Sequence, residues 1–205
     1  TLHLTGGEDP SAFGVVALGE GDRITDFVEK PAPGTEPSNL INAGTYVFEP
    51  SVLDRIPDNE RVSIERSTFP LLVEAGCLYG HATQDYWIDA GRPDLYRAAN
   101  LDLLVGGRVN DYCEAVSRTA TVDAAAIILN SIIGDDAVVA PGARIVDSVL
   151  LPGAHVGSAA TVEASLVMGR VGEGARVDAS MVGADGVVAD GAVLTAGTVP
   201  EVPAS

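Results

Sequence analysis

Cysteine is scarce in this 205-residue sequence: the only two, Cys77 and Cys113, form no CxxC pair and no metal-ligand spacing. A disulfide framework and a thiolate metal centre are both excluded, and a reducing, cytoplasmic setting is expected. Basic residues are also few, 12 against 29 acidic ones, for a net charge of −17. Nucleic acid and anionic membranes are therefore expected to be repelled, and any phosphate ligand needs a local cation or a metal ion. No apolar run is long enough to span a bilayer, and no charged start with an apolar stretch suggests a signal peptide. An initiator Met is lacking too. The chain opens directly on the strand-like alternation "TLHLT" and is expected to be cut from something longer.

What is present falls into two textures. Up to about Gly106, short strand patterns alternate with helical ones, as in a mixed α/β domain. "FGVVAL" and "RITDFVE" flank "GEGD", a hairpin turn, while "TYVFEP", "LYGHATQ" and "YWIDA" read as further strands. Ser63 caps a predicted helix that Pro70 kinks and Gly76 closes. A second helix starts at Pro93, carries Leu95, Tyr96, Ala99 and Leu103 on one face, and ends at Gly106 and Gly107.

From Thr121 to Thr195 small residues, Val, Ile and Gly dominate and aromatics vanish. Aliphatic residues recur every six positions at Ile133, Val139, Ile145 and Leu151. After a slip of one they resume at Val156, Val162 and Met168, then again at Val171 and Val177, and at Val188 and Leu194. A six-residue period fits neither an amphipathic helix nor a hairpin series, but it fits a solenoid whose short strands each turn one aliphatic inward. The pattern resembles the hexapeptide repeat of left-handed parallel β-helices. The expected division is an α/β part over 1–106, a linker over 107–120 and a left-handed parallel β-helix over 121–205.

The motifs "DPSAFGVVAL", "ITDFVEKP", "NLINAGTYVFEP", "VSIERSTFPLL" and "YWIDAGRPDLYRAANLDLL", in this order and ahead of hexapeptide repeats, resemble the sugar-binding half of a sugar-1-phosphate nucleotidyltransferase. The resemblance implies a Rossmann-like domain acting on an NTP and a sugar 1-phosphate with Mg²⁺, and a homo-oligomer held by the β-helix. Its nearest flavour is mannose-1-phosphate guanylyltransferase chemistry. The Gly-rich nucleotide loop of that family lies upstream of where this chain starts, so the chain is expected to supply the sugar-binding and assembly parts and to be inactive alone. Two alternatives stay open: a noncatalytic assembly or regulatory subunit, and a hexapeptide acyltransferase in which His155 would serve as base.

Site residues follow residue by residue. In a regular strand Glu29 and Lys30 point to opposite faces, but at a strand end, with Pro31 holding Lys30 extended, both can reach a ligand at the rim. A solvated strand end would look the same. The resemblance implies that Glu29 accepts from sugar hydroxyls and Lys30 neutralises the sugar phosphate. It likewise implies that Asn42 contacts the sugar, where an Asx turn before Gly44 is the plain alternative, and that Gly14 lets backbone approach the ligand, where a strand-start glycine is the alternative. Asp89 is implied as a hard oxygen ligand for Mg²⁺. Its rival job, capping the next helix, is weakened because Pro93 makes Arg92 the cap position.

Overall fold

The computed structural model describes residues 1–7, 9–104 and 114–200. They form two compact units, 1–87 and 88 onward.

In the first unit five strands, β1 (Leu2–Gly6), β2 (Gly14–Leu18), β3 (Ile24–Glu29), β4 (Leu40–Tyr46) and β5 (Gly80–Ala82), form one sheet in the order β3-β2-β4-β1-β5. Only β1 and β5 run parallel. The β2–β3 hairpin turns at Gly21 and Asp22, whose φ values of 66° and 60° put both in the left-handed region. Helix α1 (Phe69–Glu74) follows a π-helical turn, Ile64–Thr68, and packs on β3. The Ser63 hydroxyl accepts from the Arg66 amide at 3.3 Å, and Gly76 at φ 63° ends the segment. Leu2, Leu4, Val16, Ile24, Phe27, Phe69, Leu72 and Leu78 make the core, with Phe69 edge-on to Phe27.

Two strand expectations need correction. The strand expected at "TYVFEP" is β4, which runs earlier and ends at Tyr46, because Pro50 opens a 3₁₀ turn and cannot donate to a ladder. "YWIDA" is not a strand. Trp87 is held instead by side-chain contacts: it packs edge-on to Phe13 with ring centres 5.5 Å apart, and its indole N–H donates to the Ala43 carbonyl at 3.0 Å.

The second unit opens with helix α2 (Pro93–Leu104); its predicted end at Gly106 and Gly107 lies outside the described residues, as does 107–113 of the predicted linker. The rest is a parallel β-helix of three five-stranded faces. One face starts at Thr121–Val122, the next at Ile127–Leu129 and the third at Ile132–Ile133. Val116 already bridges to Ile133, so the first coil begins ahead of Thr121. Equivalent residues are 17 apart, as Ile128 and Ile145 are, except across the segment from Val167 to Val171, where the spacing falls to 15, as from Val162 to Val177.

The inward residues are Ile133, Val139, Ile145, Leu150, Val156, Val162, Val167, Val171, Val177, Val182 and Val188. Leu151 and Met168, expected inward, are not in that buried stack; their neighbours Leu150 and Val167 are fully buried. The reason is the corner between the second and third faces, which is one residue shorter than a strict six-residue period requires. Asn130, Asp147, Ala164, Ala179 and Ala196 sit there with φ between 43° and 50°. The next residue in four of these turns is a buried serine: Ser131, Ser148, Ser165 or Ser180. Each donates its hydroxyl to the carbonyl two residues back, and each accepts an amide N–H from the next coil at 3.0–3.1 Å. The serines thus satisfy the amides of the next coil, while each carbonyl to which they donate also accepts a backbone amide. A serine contact contributes about 1 kcal/mol, against roughly 1.5–3 kcal/mol for each buried aliphatic, so the aliphatic stack dominates stability and the serines fix the register.

The outer side of the third face is apolar as well, and α2 covers it. Leu101, Tyr96 and Leu104 pack against Val149, Leu166 and Ile132, and Arg97 donates to the Asp147 carbonyl at 2.8 Å.

Candidate sugar-phosphate site

Gly14 and Glu29 are direct partners across the β2–β3 ladder. With no side chain at Gly14, the Phe27 ring and the Glu29 carboxylate lie across its Cα: a Cβ there would stand 2.7 Å from Phe27 Cζ and 2.9 Å from Glu29 Oε2. The glycine is needed for space beneath the carboxylate, rather than to free the backbone.

Lys30 departs from expectation. Its φ is 51°, so it is left-handed rather than extended. Its amide still closes the ladder by donating to the Phe13 carbonyl at 3.0 Å; the chain then turns, burying Pro31 and leaving Lys30 exposed. Burial of the proline ring offsets the roughly 1–2 kcal/mol that a left-handed non-glycine residue costs. The turn also breaks strand alternation, so Lys30 is not forced onto the face opposite Glu29.

Asn42 is buried and makes the turn that its sequence suggests, with Oδ1 accepting the Gly44 amide at 3.1 Å and Gly44 at φ 77°. Its Nδ2 donates to the Tyr46 hydroxyl at 2.8 Å, and that hydroxyl donates to Glu65 Oε1 at 3.5 Å. Burial pushes the Glu29 carboxyl above its ordinary pKa and the Glu65 charge adds to this, while Lys30 and Arg66 pull the other way. Burial likewise raises the Tyr46 phenol; the hydrogen bond from Asn42 opposes this, and the Glu65 charge adds to it.

The structure therefore pairs Gly14 with Glu29 across the ladder, and the β2–β4 register, Val15 opposite Ile41, sets Asn42 one step further along the neighbouring strand, while Lys30 follows Glu29 in the chain and acts on it through its charge. It adds Tyr46, Glu65 and Arg66, which sequence reasoning did not single out. The quoted stretches "NAGTYV" and "IERS" contain all three, but only their common neighbour Glu29 reveals them as one group. Elsewhere in the unit, a cavity of about 400 Å³ is lined by Val47, Phe48, Val52, Leu72 and Leu78 among others, and none of the predicted site residues is in its wall. Its wall also carries Thr1, Glu49, Ser51 and Arg55.

Asp89 belongs to the second unit and is exposed. Its Oδ1 accepts the Gly91 amide at 3.1 Å, and its Oδ2 has no partner among the described residues. It does not cap α2: the Arg92 guanidinium there pairs with Asp94 through Nε at 3.1 Å and NH2 at 2.8 Å. No group of three or more His, Cys, Asp or Glu side chains that could hold a metal ion occurs among the described residues. A lone carboxylate of this kind fits a Mg²⁺ ion whose other ligands are water and substrate phosphates. On the β-helix, His155 Nδ1 is tied to the Gly153 carbonyl at 2.9 Å, on a face where Arg170 is its neighbour.

This combination of a mixed sheet with a polar rim and a parallel β-helix agrees with the comparisons. Residues 1–105 match the family described as Nucleotidyl transferase, and residues 112–204 match the GMPPB C-terminal domain. The chain belongs to the sugar-1-phosphate nucleotidyltransferase family. It is 36% identical over 174 residues to the mannose-1-phosphate guanylyltransferase of Mycobacterium tuberculosis, covering 80% of this chain and 47% of that protein. It is 35% identical over 147 residues to the mannose-1-phosphate guanyltransferase of Neurospora crassa, covering 71% and 37%. Over 94 residues it is 45% identical to the mannose-1-phosphate guanylyltransferase catalytic subunit beta of Danio rerio, covering 45% and 25%. The chain thus spans less than half the length of these relatives.

Proposed function

We propose that the protein serves transfer of a guanylyl group from GTP to mannose 1-phosphate, releasing pyrophosphate, and that this chain carries the sugar-phosphate side of the site. The observation that supports this best is the cluster of Gly14, Glu29, Lys30 and Asn42 in a protein of net charge −17. Lys30 is a cation at the rim for the phosphate; Glu29 accepts from sugar hydroxyls, and Asn42 offers an amide N–H to them. In such a transfer the sugar phosphate oxygen attacks the α-phosphorus in line, so the work of these residues is to hold that oxygen in place. Asp89 would hold Mg²⁺, which when bound offsets phosphate charge. No helix among the described residues is long and apolar enough to cross a membrane. With two cysteines and nucleotide substrates, a cytoplasmic setting is part of the proposal, as is a homo-oligomer assembled through the β-helix.

The test is turnover by the full-length protein with each common NTP and sugar 1-phosphate, following pyrophosphate. Highest kcat/KM for GTP with mannose 1-phosphate is expected. Preference for another pair reassigns the substrates, and absence of pyrophosphate release with every pair removes the reading.

A further inference from the structure

The Tyr46 hydroxyl stands between Asn42 and Glu65. Its ring is packed edge-on to Phe69 with centres 5.2 Å apart and stacked on Phe48 at 5.6 Å, so the hydroxyl has a fixed position. The direction of the chain of hydrogen bonds is set by chemistry. An ionised carboxylate only accepts, so the Tyr46 proton goes to Glu65 and the oxygen receives the Asn42 amide. Asn42 Oδ1 is meanwhile held by the Gly44 N–H. A flipped amide would set two donors face to face at Gly44. One Nδ2 hydrogen is left without a protein partner among these contacts.

We propose that Tyr46, with Glu65 as its acceptor, is a positioning residue for the sugar: it orients the Asn42 amide so that one N–H stays available in the same cluster as the Glu29 carboxylate. A donor and an acceptor held in one cluster suit neighbouring hydroxyls of a polyhydroxylated phosphate ester, each of which can donate to one and accept from the other. The inference rests on the assignment of Glu29 and Asn42 to the sugar. The same network ties the state of Glu29 to its surroundings. Glu65 and Arg66 act on it from the π-helical turn and Lys30 from just past its own strand, the Glu29 charge in turn raises the Tyr46 phenol on β4, and β2 contributes only uncharged Gly14.

Tyr46→Phe keeps the ring and removes the hydroxyl. In the full-length protein it is expected to raise the KM for mannose 1-phosphate about five- to tenfold and leave the KM for GTP unchanged. Glu65→Gln keeps an acceptor for Tyr46 but removes a charge from beside Glu29. The acid limb of its kcat/KM is expected to move to lower pH, because Glu29 then ionises more readily, and an acid limb that stays in place overturns the link between Glu65 and Glu29. If Tyr46→Phe fails to fold by circular dichroism, Glu65→Ala removes the acceptor from outside the core and is expected to show the same selective rise in KM. An unchanged mannose 1-phosphate KM in the folded variant, or equal rises for both substrates, overturns the inference. A wild-type protein that does not saturate with mannose 1-phosphate overturns the sugar assignment beneath it, a separate and earlier failure.

Discussion

Gly14 and Glu29 face each other across the β2–β3 ladder, and the carboxylate occupies space that any other residue at position 14 would fill. Gly14→Ala is therefore expected to displace Glu29 rather than the backbone. The measurement is KM for mannose 1-phosphate together with the melting temperature. A marked rise in KM is expected alongside a loss of about 1–3 kcal/mol from crowding against Phe27. A variant with unchanged KM would show that Glu29 does not need this placement.

Lys30 is an exposed cation of the cluster, held in an uncommon backbone conformation. Lys30→Ala should raise the KM for mannose 1-phosphate by one to two orders of magnitude, the equivalent of about 1.5–3 kcal/mol for a charge-assisted contact. The KM for GTP should move little. Equal effects on both substrates would count against a phosphate role for this lysine.

Glu29 carries a pKa raised by burial and by Glu65. A raised carboxyl favours the protonated form in the fold, so its stability contribution is fully present below the unfolded pKa and is lost as pH rises through the folded one. Glu29→Gln, neutral at all pH, should melt higher than wild type at pH 7, with the advantage disappearing as pH falls below the ordinary glutamate range. The same variant should bind sugar phosphate poorly. A Gln variant less stable than wild type at neutral pH would contradict the raised pKa.

Asp89→Asn replaces a hard carboxylate by a weaker amide ligand while keeping an oxygen for the Gly91 amide. Loss of kcat that is partly restored by raising Mg²⁺ is the expected result. Unchanged activity and an unchanged Mg²⁺ titration would leave Asp89 a turn residue only.

At the serine corner, Ser148→Ala orphans the buried amide of Ser165, while the Val146 carbonyl keeps the Ala164 amide as a donor. Denaturant unfolding of the β-helix should show a loss of about 1–3 kcal/mol. Ala179→Gly, at φ 45°, should instead gain a few tenths to about 1 kcal/mol by relieving a left-handed alanine. Unchanged stability in both variants would mean that the corner is held by the aliphatic stack alone.

The short apolar run of β2, the Gly21 turn, the Pro93 start of α2 and the aliphatic rhythm of the tail are local patterns. Strand spacing, proline's fixed φ and a repeated coil each leave a mark within a few residues, so the sequence alone determined the mixed α/β character of the first part and the coil of the second. It also contained Gly14, Glu29, Lys30 and Asn42 as candidates, because those lie in short motifs. Tertiary structure alone decided the rest. Whether Leu150 or Leu151 turns inward depends on a corner whose serine bonds to a coil 17 residues away. Lys30 leaves the extended conformation, with Pro31 buried just beyond it, which no dipeptide preference anticipates. Tyr46 meets Glu65 across 19 residues of chain, and Glu65 acts on Glu29 from another element altogether. Contacts of that kind arise only when separate elements pack, and no local period records them.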